Sequence, residues 1–398
     1  MDGRILCLPG DGVGPEVLRE ARRVLEAIAE IYGHRFQIIE SAMGAGAIQR
    51  FGDPLPAETR ELAGEVDAVL LGAVGFDAPP GDAPPGDAPP PDGEMADPAS
   101  GVLELRTLLG NYANLRPIAV GDAVMDGSPF RADHVRGVDL VIVRELLGGI
   151  YYGRPRGTGD DSAYDTEIYT GDEIRRIARW AFELARARRK KLTSVDKANV
   201  LQSSAFWRRV VGTVAREYPD VEFSSMLVDN CALQLVAQPR QFDVVLTSNL
   251  FGDILSDGAA VLAGGLGMLP SASVGGEVGL YEPVHGTAPD IAGKGIANPI
   301  GAILSAAMML ELTFALPEEA GAVRDAVGRV LRNGYLTADL SAGGGREPLS
   351  TADMGERIVR ELHAGNQDRC RTLADAVPSD EQAMTSAVRE TRRGHGPA

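Results

Sequence analysis

The strongest chemical signal in the chain is a pair of aspartates four residues apart, Asp253 and Asp257, in NLFGDILSDGAA. If a helix starts near Gly252, the two carboxylates share one face and repel each other. Such a pair is either a solvated helix face or, with a divalent cation between the carboxylates, an all-oxygen site suited to Mg2+ or Mn2+. Alone, such a pair is more often a solvated face; the apolar flanks and the buried-strand pattern of Val244–Ser248 shift the balance toward the second reading. They place the pair at the carboxyl end of a strand, where open α/β sheets bind ligands. Three arginines supply the opposite charge: Arg106 in a helical pattern, Arg116 in YANLRP, and Arg144 at the end of the apolar run VDLVIV. A guanidinium at the end of a buried strand needs an anion, and it binds carboxylates in bidentate fashion. Each alone suits a structural salt bridge; three together suit a polycarboxylate site.

Tyr151 follows ELLGGI, and Lys197 sits in SVDKANVLQ. By spacing alone both are surface residues, although a lysine transfers protons where burial and neighbouring charge tune it. Glu282-Pro283-Val284-His285-Gly286-Thr287-Ala288-Pro289-Asp290, with Asn298-Pro299 further on, reads as a glycine- and proline-shaped loop able to wrap a nucleotide. His285 by itself equally suits a structural, hydrogen-bonded role. Gly10-Asp11-Gly12-Val13-Gly14 matches the usual dinucleotide fingerprint only superficially, without a clear acidic residue about twenty positions on.

These residues need a frame. Arg4–Leu8, Phe36–Glu40, Ala68–Gly72, Val138–Arg144 and Val244–Ser248 have strand patterns; Glu16–Ile31, Gly101–Leu109, Asp172–Arg189, Ile303–Leu310, Gly321–Arg332 and Ala352–Leu362 have helical ones. Strand, glycine turn and helix in succession open an α/β layer. At 398 residues the chain has room for two domains, each with its own core. Residues 77–93, DAPPGDAPPGDAPPPDG, form a five-residue low-complexity repeat, expected to be a tolerated surface insertion rather than a proline-rich ligand for another protein. From about Ala364 the sequence is polar and aperiodic, which predicts a mobile tail.

A net charge of -17 argues against nucleic acid and anionic membranes as partners, so an anionic substrate would need a local basic cluster. Cys7, Cys231 and Cys370 are widely spaced and odd in number, which predicts reduced thiols and a cytoplasmic location. The N-terminal segment predicts no signal peptide, and no run reaches the ~20 apolar residues of a membrane span.

Long motifs then converge: LPGDGVGPEV, NYANLRP, VRELLGGIYYG, DTEIY, DKANVLQSS, NLFGDILSD, GMLPSAS and YEPVHGTAPDIAGKGIANP. From about Arg4 to Leu362 the chain resembles the isocitrate/isopropylmalate dehydrogenase family of β-decarboxylating dehydrogenases, and within it the 3-isopropylmalate type. The resemblance implies a two-domain α/β fold that is not the usual Rossmann fold. Residues 1–111 and 264–365 would form a discontinuous cofactor-binding domain and 112–263 a domain for substrate, metal and dimerisation, leaving 366–398 as the tail. It implies carboxylate-binding roles for Arg106, Arg116 and Arg144, proton donation by Tyr151 and proton removal by Lys197. Asp229, in LVDNCALQL, would complete the Mg2+ or Mn2+ site with Asp253 and Asp257 and also lie at the substrate. Lys197 and Asp229 would come from the opposite subunit of a homodimer.

By the same resemblance Glu282, His285, Gly286, Ala288, Asp290 and Asn298 would line the cofactor. A carboxylate at Asp290 facing the adenosine ribose would favour NAD over NADP. Val102 and Leu103, four and three residues before Arg106, would face the substrate's third substituent as an apolar wall. The implied activity is NAD-dependent oxidative decarboxylation of 3-isopropylmalate in leucine biosynthesis. Another 3-alkylmalate, tartrate or D-malate remains an alternative, as does a non-catalytic regulatory paralogue. Departures from the family pattern stand at Val102, where leucine is common, Leu147, where threonine is expected, and Gly265, where serine is frequent.

Overall fold

The computed structural model describes residues 1–75, 97–121, 125, 129–341 and 347–376, with side chains to residue 367. The proline repeat therefore lies outside the described residues. The chain opens with β1 (Asp2–Gly10), α1 (Gly14–Tyr32), β2 (Arg35–Glu40), α2 (Ala45–Phe51), α3 (Ala57–Ala63), β3 (Ala68–Ala73) and α4 (Pro98–Leu109). Next come β4 (Ala113–Ala119), α5 (Ala132–Val135), β5 (Asp139–Glu145), the small hairpin β6 (Gly157–Thr158) and β7 (Ala163–Tyr164), and α6 (Gly171–Ala187). Then follow β8 (Lys191–Asp196), α7 (Gln202–Val214), β9 (Glu222–Leu227), α8 (Val228–Ala237), β10 (Val244–Thr247) and α9 (Asn249–Ala260). The chain closes with β11 (Pro270–Val274), β12 (Gly279–Pro283), α10 (Ile300–Leu312), α11 (Pro317–Arg332) and α12 (Thr351–Ala376).

Ten strands join in one mixed sheet, in the order β2-β1-β3-β12-β11-β4-β5-β10-β8-β9. The first five come from the two ends of the chain and the last five from its middle. The seam between them is antiparallel: β11 pairs antiparallel with both β12 and β4, and β4 with β5. The flanking pairs are parallel, as in β1 with β3 and β5 with β10. This order is that of neither usual doubly wound sheet, which fits the weak glycine fingerprint.

Helices form where an apolar stripe meets the sheet. α1 buries Val17, Leu18, Ala21, Val24, Leu25 and Ile28 on one side and ends at Gly33 in the left-handed region. α6 starts in a capping box, Thr170 bonding reciprocally with Glu173. α10 is apolar nearly all round because it is covered all round, packing on β11, β12, α1 and α11. One expectation needs correction. The polar segment after Ala364 is not aperiodic chain throughout: α12 continues through it to Ala376. The rest of the predicted tail lies outside the described residues. Cys7 and Cys231 are buried free thiols, and burial pushes both up to about 12. No helix among the described residues is long and apolar enough to cross a membrane.

Candidate active site

A cavity of about 390 Å3 opens at the seam of the sheet. The outer strands' half contributes Val102, Leu103 and Arg106 of α4, with Glu282, His285 and Gly286; the other half contributes Arg116, Arg144, Tyr151 and Asp253. Strand register explains the arginines. Arg144, near the end of β5, stands opposite Asn114 of β4 and beside Thr247 at the end of β10. Arg116, two residues from Asn114, points to the same face. α9 begins directly after β10 and carries Asp253 and Asp257 one turn apart. Gly252 is required there: a Cβ would fall 2.7 Å from the Arg144 Cβ and Cγ, so only glycine lets the buried arginine stem lie against the helix.

Asp253 is the hub. Its Oδ1 accepts from Arg144 Nη1 at 2.5 Å and lies 3.1 Å from Arg116 Nη2, while Oδ2 accepts from Tyr151 Oη at 2.9 Å. Arg116 also donates to Ser256 Oγ at 2.7 Å and Asp257 Oδ1 at 3.0 Å, and its Nε donates to Asn114 Oδ1 at 3.0 Å. Arg106 donates to Glu282 Oε1 at 2.7 Å, but its buried Nε has no partner among the described residues. A buried guanidinium N–H without an acceptor marks room for an anion.

The charges shift one another. Burial tends to raise the Asp253 carboxyl, but Arg144 and Arg116 outweigh it and hold it below the usual carboxylate range. Burial raises Asp257 and Asp253 adds to that, with Arg116 opposing. Burial, then the neighbouring Arg116, pull Arg144 down to about 10 against the attraction of Asp253. Burial and the Asp253 charge raise the Tyr151 phenol, keeping it protonated at neutral pH. The cluster thus pairs a concentrated positive field with a phenolic proton donor, next to two aspartates on one helix face.

Above this cluster runs the segment after β12. Glu282 belongs to β12 itself rather than to a loop, and its carboxylate is committed to Arg106. His285 Nδ1 lies 2.9 Å from the Gly286 carbonyl, and its buried Nε2 has no partner among the described residues. The first glycine loop is tied to this segment, Val13 N–H donating to the Thr287 carbonyl at 2.8 Å. Ala288 has φ 42, in the left-handed region. Asp290 is exposed. Asn298 is buried, its amide donating to Asp339 Oδ2 at 3.0 Å and its Oδ1 accepting from Ile300 N–H at 3.0 Å.

Lys197 and Asp229 are not among the residues that line the cavity. Lys197 Nζ donates to Asp229 Oδ1 at 2.6 Å, and that bond holds the Asp229 carboxyl below its usual range. Asp229, Leu233 and Val236 share one stripe of α8, and Ile254, Asp257 and Val261 one stripe running off α9; the four apolar residues are exposed. No group of three His, Cys, Asp or Glu side chains within this one chain is placed to hold a metal, among the described residues.

Residues 4–358 match the isocitrate/isopropylmalate dehydrogenase family model. The chain belongs to this family. It is 52% identical over 367 residues to a 3-isopropylmalate dehydrogenase of Shouchella clausii, covering 91% of this chain and 98% of that one. A Thermotoga maritima protein of the same name is 52% identical, over 90% of this chain and 99% of its own. Among solved structures, an isocitrate dehydrogenase from Methylococcus capsulatus superposes with TM-score 0.78 at 38% identity, covering 90% of this chain and 99% of that one. A β-decarboxylating dehydrogenase from Thermococcus kodakarensis, in its apo form, gives 0.71 at 40% identity, over 91% and 96% of the two chains.

Within the family frame, several site residues escaped the sequence reading. Asn114 orients Arg116 while its amide donates to Ser271 and Ser273. Ser256 accepts from Arg116 between the two aspartates. Asp11 is buried and accepts from the backbone N–H groups of Ala45, Gly46 and Gly75, fixing the glycine loop. Asn114 and Ser256 are neutral and Asp11 is enclosed; their only sequence signal was position inside the motifs that carried charged neighbours.

Proposed function

We propose that this protein is a metal-dependent, NAD-linked 3-isopropylmalate dehydrogenase. It would convert (2R,3S)-3-isopropylmalate to 4-methyl-2-oxopentanoate and CO2 in cytoplasmic leucine biosynthesis. The observation that carries the reading is one cavity where Arg106, Arg116 and Arg144 converge beside an apolar wall of Val102 and Leu103. Two carboxylates and a branched alkyl group need that combination. The names of the relatives about half identical to this chain favour the same substrate.

The residues fit the implied groups. Asp257 keeps Oδ2 without a hydrogen-bond partner among the described residues, and Asp253 stands one turn before it with Oδ2 facing the Tyr151 hydroxyl. Asp253, Asp257 and Asp229 of the partner subunit would hold Mg2+ or Mn2+, which when bound would polarise the substrate's hydroxyl and the adjacent carboxylate. The unpartnered His285 Nε2, with Glu282, Gly286, Ala288, Asp290 and Asn298, would hold NAD as hydride acceptor. We assign this role to the half of the sheet built from 1–111 and 264–365, and substrate and dimer contacts to 112–263.

In this mechanism the arginines bind both carboxylates and set the C2–H bond for hydride loss. Lys197 of the partner subunit takes the hydroxyl proton as C2 becomes a carbonyl. The bond from C3 to its carboxylate breaks, CO2 leaves, and the electron pair enters the enolate. Tyr151, protonated and held by Asp253, returns a proton to C3. The exposed apolar stripes beside Asp229 and Asp257 support a homodimer in which that pair reaches the other subunit's cavity.

The test is reduction of NAD and NADP with Mg2+ across 3-isopropylmalate, 3-methylmalate, D-malate, tartrate, isocitrate and homoisocitrate. Preference for 3-isopropylmalate with NAD is expected. Preference for another malate, or for NADP, would overturn the wall or the Asp290 assignment, and silence throughout would favour a non-catalytic paralogue.

A further inference from the structure

The turn that leads into Tyr151 is fastened to groups that the reaction does not use. Asn249, first residue of α9, is fully buried and occupies both ends of its side chain. Its Oδ1 accepts from Arg144 Nε at 2.9 Å, and its Nδ2 donates to the carbonyls of Leu146 and Gly148, each at 3.1 Å. Its backbone N–H donates to Tyr169 Oη at 2.8 Å. From the other side the buried Glu145 carboxylate accepts from the N–H groups of Gly148 at 2.7 Å and Leu147 at 3.3 Å. Gly149 has φ 77, and a Cβ there would fall 2.4 Å from Tyr169 Oη, so the turn admits no side chain at that point. Beyond it Arg156 donates to the carbonyls of Tyr151 at 3.0 Å and Ile150 at 3.3 Å.

We propose that Asn249 is a positioning residue that locks Arg144 and the 146–149 turn in one register, and so sets where Tyr151 stands relative to the substrate arginine. The proposal rests on the reading of Tyr151 as the proton donor to C3. Arg144 and Tyr151 already meet through the two oxygens of Asp253. Asn249 closes a second connection between them on the buried side. A ring of hydrogen bonds in a low-dielectric interior is stiff, because opening any member leaves a buried polar group without a partner. An apolar residue of the same volume would fill the space and strand Arg144 Nε and two carbonyls.

The link can be cut on one side only. Asn249→Asp keeps an acceptor toward Arg144 but replaces the donor facing the two carbonyls with a second oxygen. With 3-isopropylmalate, NAD and Mg2+, kcat is expected to fall about 10- to 100-fold, with KM changed less than about threefold. In the Tyr151→Phe background the same substitution is expected to cost less than about threefold, because the turn then positions no acid. Amide hydrogen exchange at 146–153 is expected to accelerate. Asn249→Ala, which buries no new charge, is the second variant should the aspartate prevent folding; it cuts both links, so KM rises as kcat falls. Unchanged kcat, or a full penalty in the Tyr151→Phe background, would overturn the proposal. If Tyr151→Phe itself turns over like wild type, the proton-donor reading fails instead. Exchange at 146–153 then decides alone: unchanged protection in Asn249→Asp or Asn249→Ala sinks the positioning role.

Discussion

The Arg144 side chain is 2% exposed, that of Lys197 29%, and each is bonded to an aspartate. Around Arg144 the contacts interlock: Asp253 also binds Arg116 and Tyr151, and Asn249 holds the guanidinium from behind. Among the described residues the Lys197 side chain makes a single hydrogen bond, to Asp229, whose side chain is 62% exposed. A buried network keeps its geometry without help, whereas an exposed ion pair is weak and screened by salt and can exchange partners at little cost. In the proposed homodimer the first region would be a finished site and the second half of one, completed across a surface such as the exposed stripe of Leu233, Val236, Ile254 and Val261.

The largest effect that separates the two regions is expected from Lys197→Ala. If the pair works only across the dimer, removing the amine that accepts the hydroxyl proton abolishes proton transfer but no packing. Turnover should fall about 10²- to 10⁴-fold while sedimentation still reports a dimer of normal stability. Near wild-type turnover would mean that the exposed pair is only a surface salt bridge and that the cavity residues suffice.

The buried region should respond to pH in its fold rather than its chemistry. Burial raises Glu145 from 4.5 to about 7, against the opposing pull of the Gly148 and Leu147 amides and Arg176. The folded state therefore favours the protonated acid. Its stabilising contribution is fully present below about pH 4.5 and is lost as pH rises through about 7. Glu145→Gln stays neutral throughout, so its stability relative to wild type should rise between pH 5 and pH 8, by at most ~3 kcal/mol. Urea unfolding of both proteins at several pH values checks this. A difference that does not vary with pH would mean that Glu145 ionises alike in the folded and unfolded chains.

What was legible in the sequence follows the same division. Asp253 and Asp257 were readable because a helix converts a four-residue spacing into a shared face, and the arginines because a charge ending an apolar run has few explanations. Lys197 looked like a surface residue by spacing, and in one chain it is partly exposed; its role entered only through the family resemblance. Asn249, Asn114 and Ser256 act through neighbours distant in sequence, such as the 105 residues separating Asn249 from Arg144, and no local pattern encodes that. β4 escaped notice because Asn114, Arg116 and Pro117 interrupt its apolar pattern. The helical extension to Ala376 escaped for another reason: Gln367, Arg369, Leu373 and Ala374 favour helix by propensity, yet no apolar stripe announces it.

The smallest expected effect concerns an apolar wall of the cavity, which is not fixed by charge. Val102 stands on α4 one turn before Arg106, facing the cavity beside Leu103. No hydrogen bond sets what it admits, so its discrimination comes only from volume. Val102→Leu adds one methylene, worth ~1 kcal/mol in an apolar pocket that fits its ligand closely. The ratio of kcat/KM for a bulkier 3-alkylmalate to that for 3-isopropylmalate should then fall about fivefold. Turnover of 3-isopropylmalate itself should stay within about twofold, since neither the arginines nor Tyr151 moves. Competition between the two substrates measures this ratio directly. If the ratio holds, the alkyl group does not rest on Val102, and the selectivity of the cavity must come from the face that Leu103 presents.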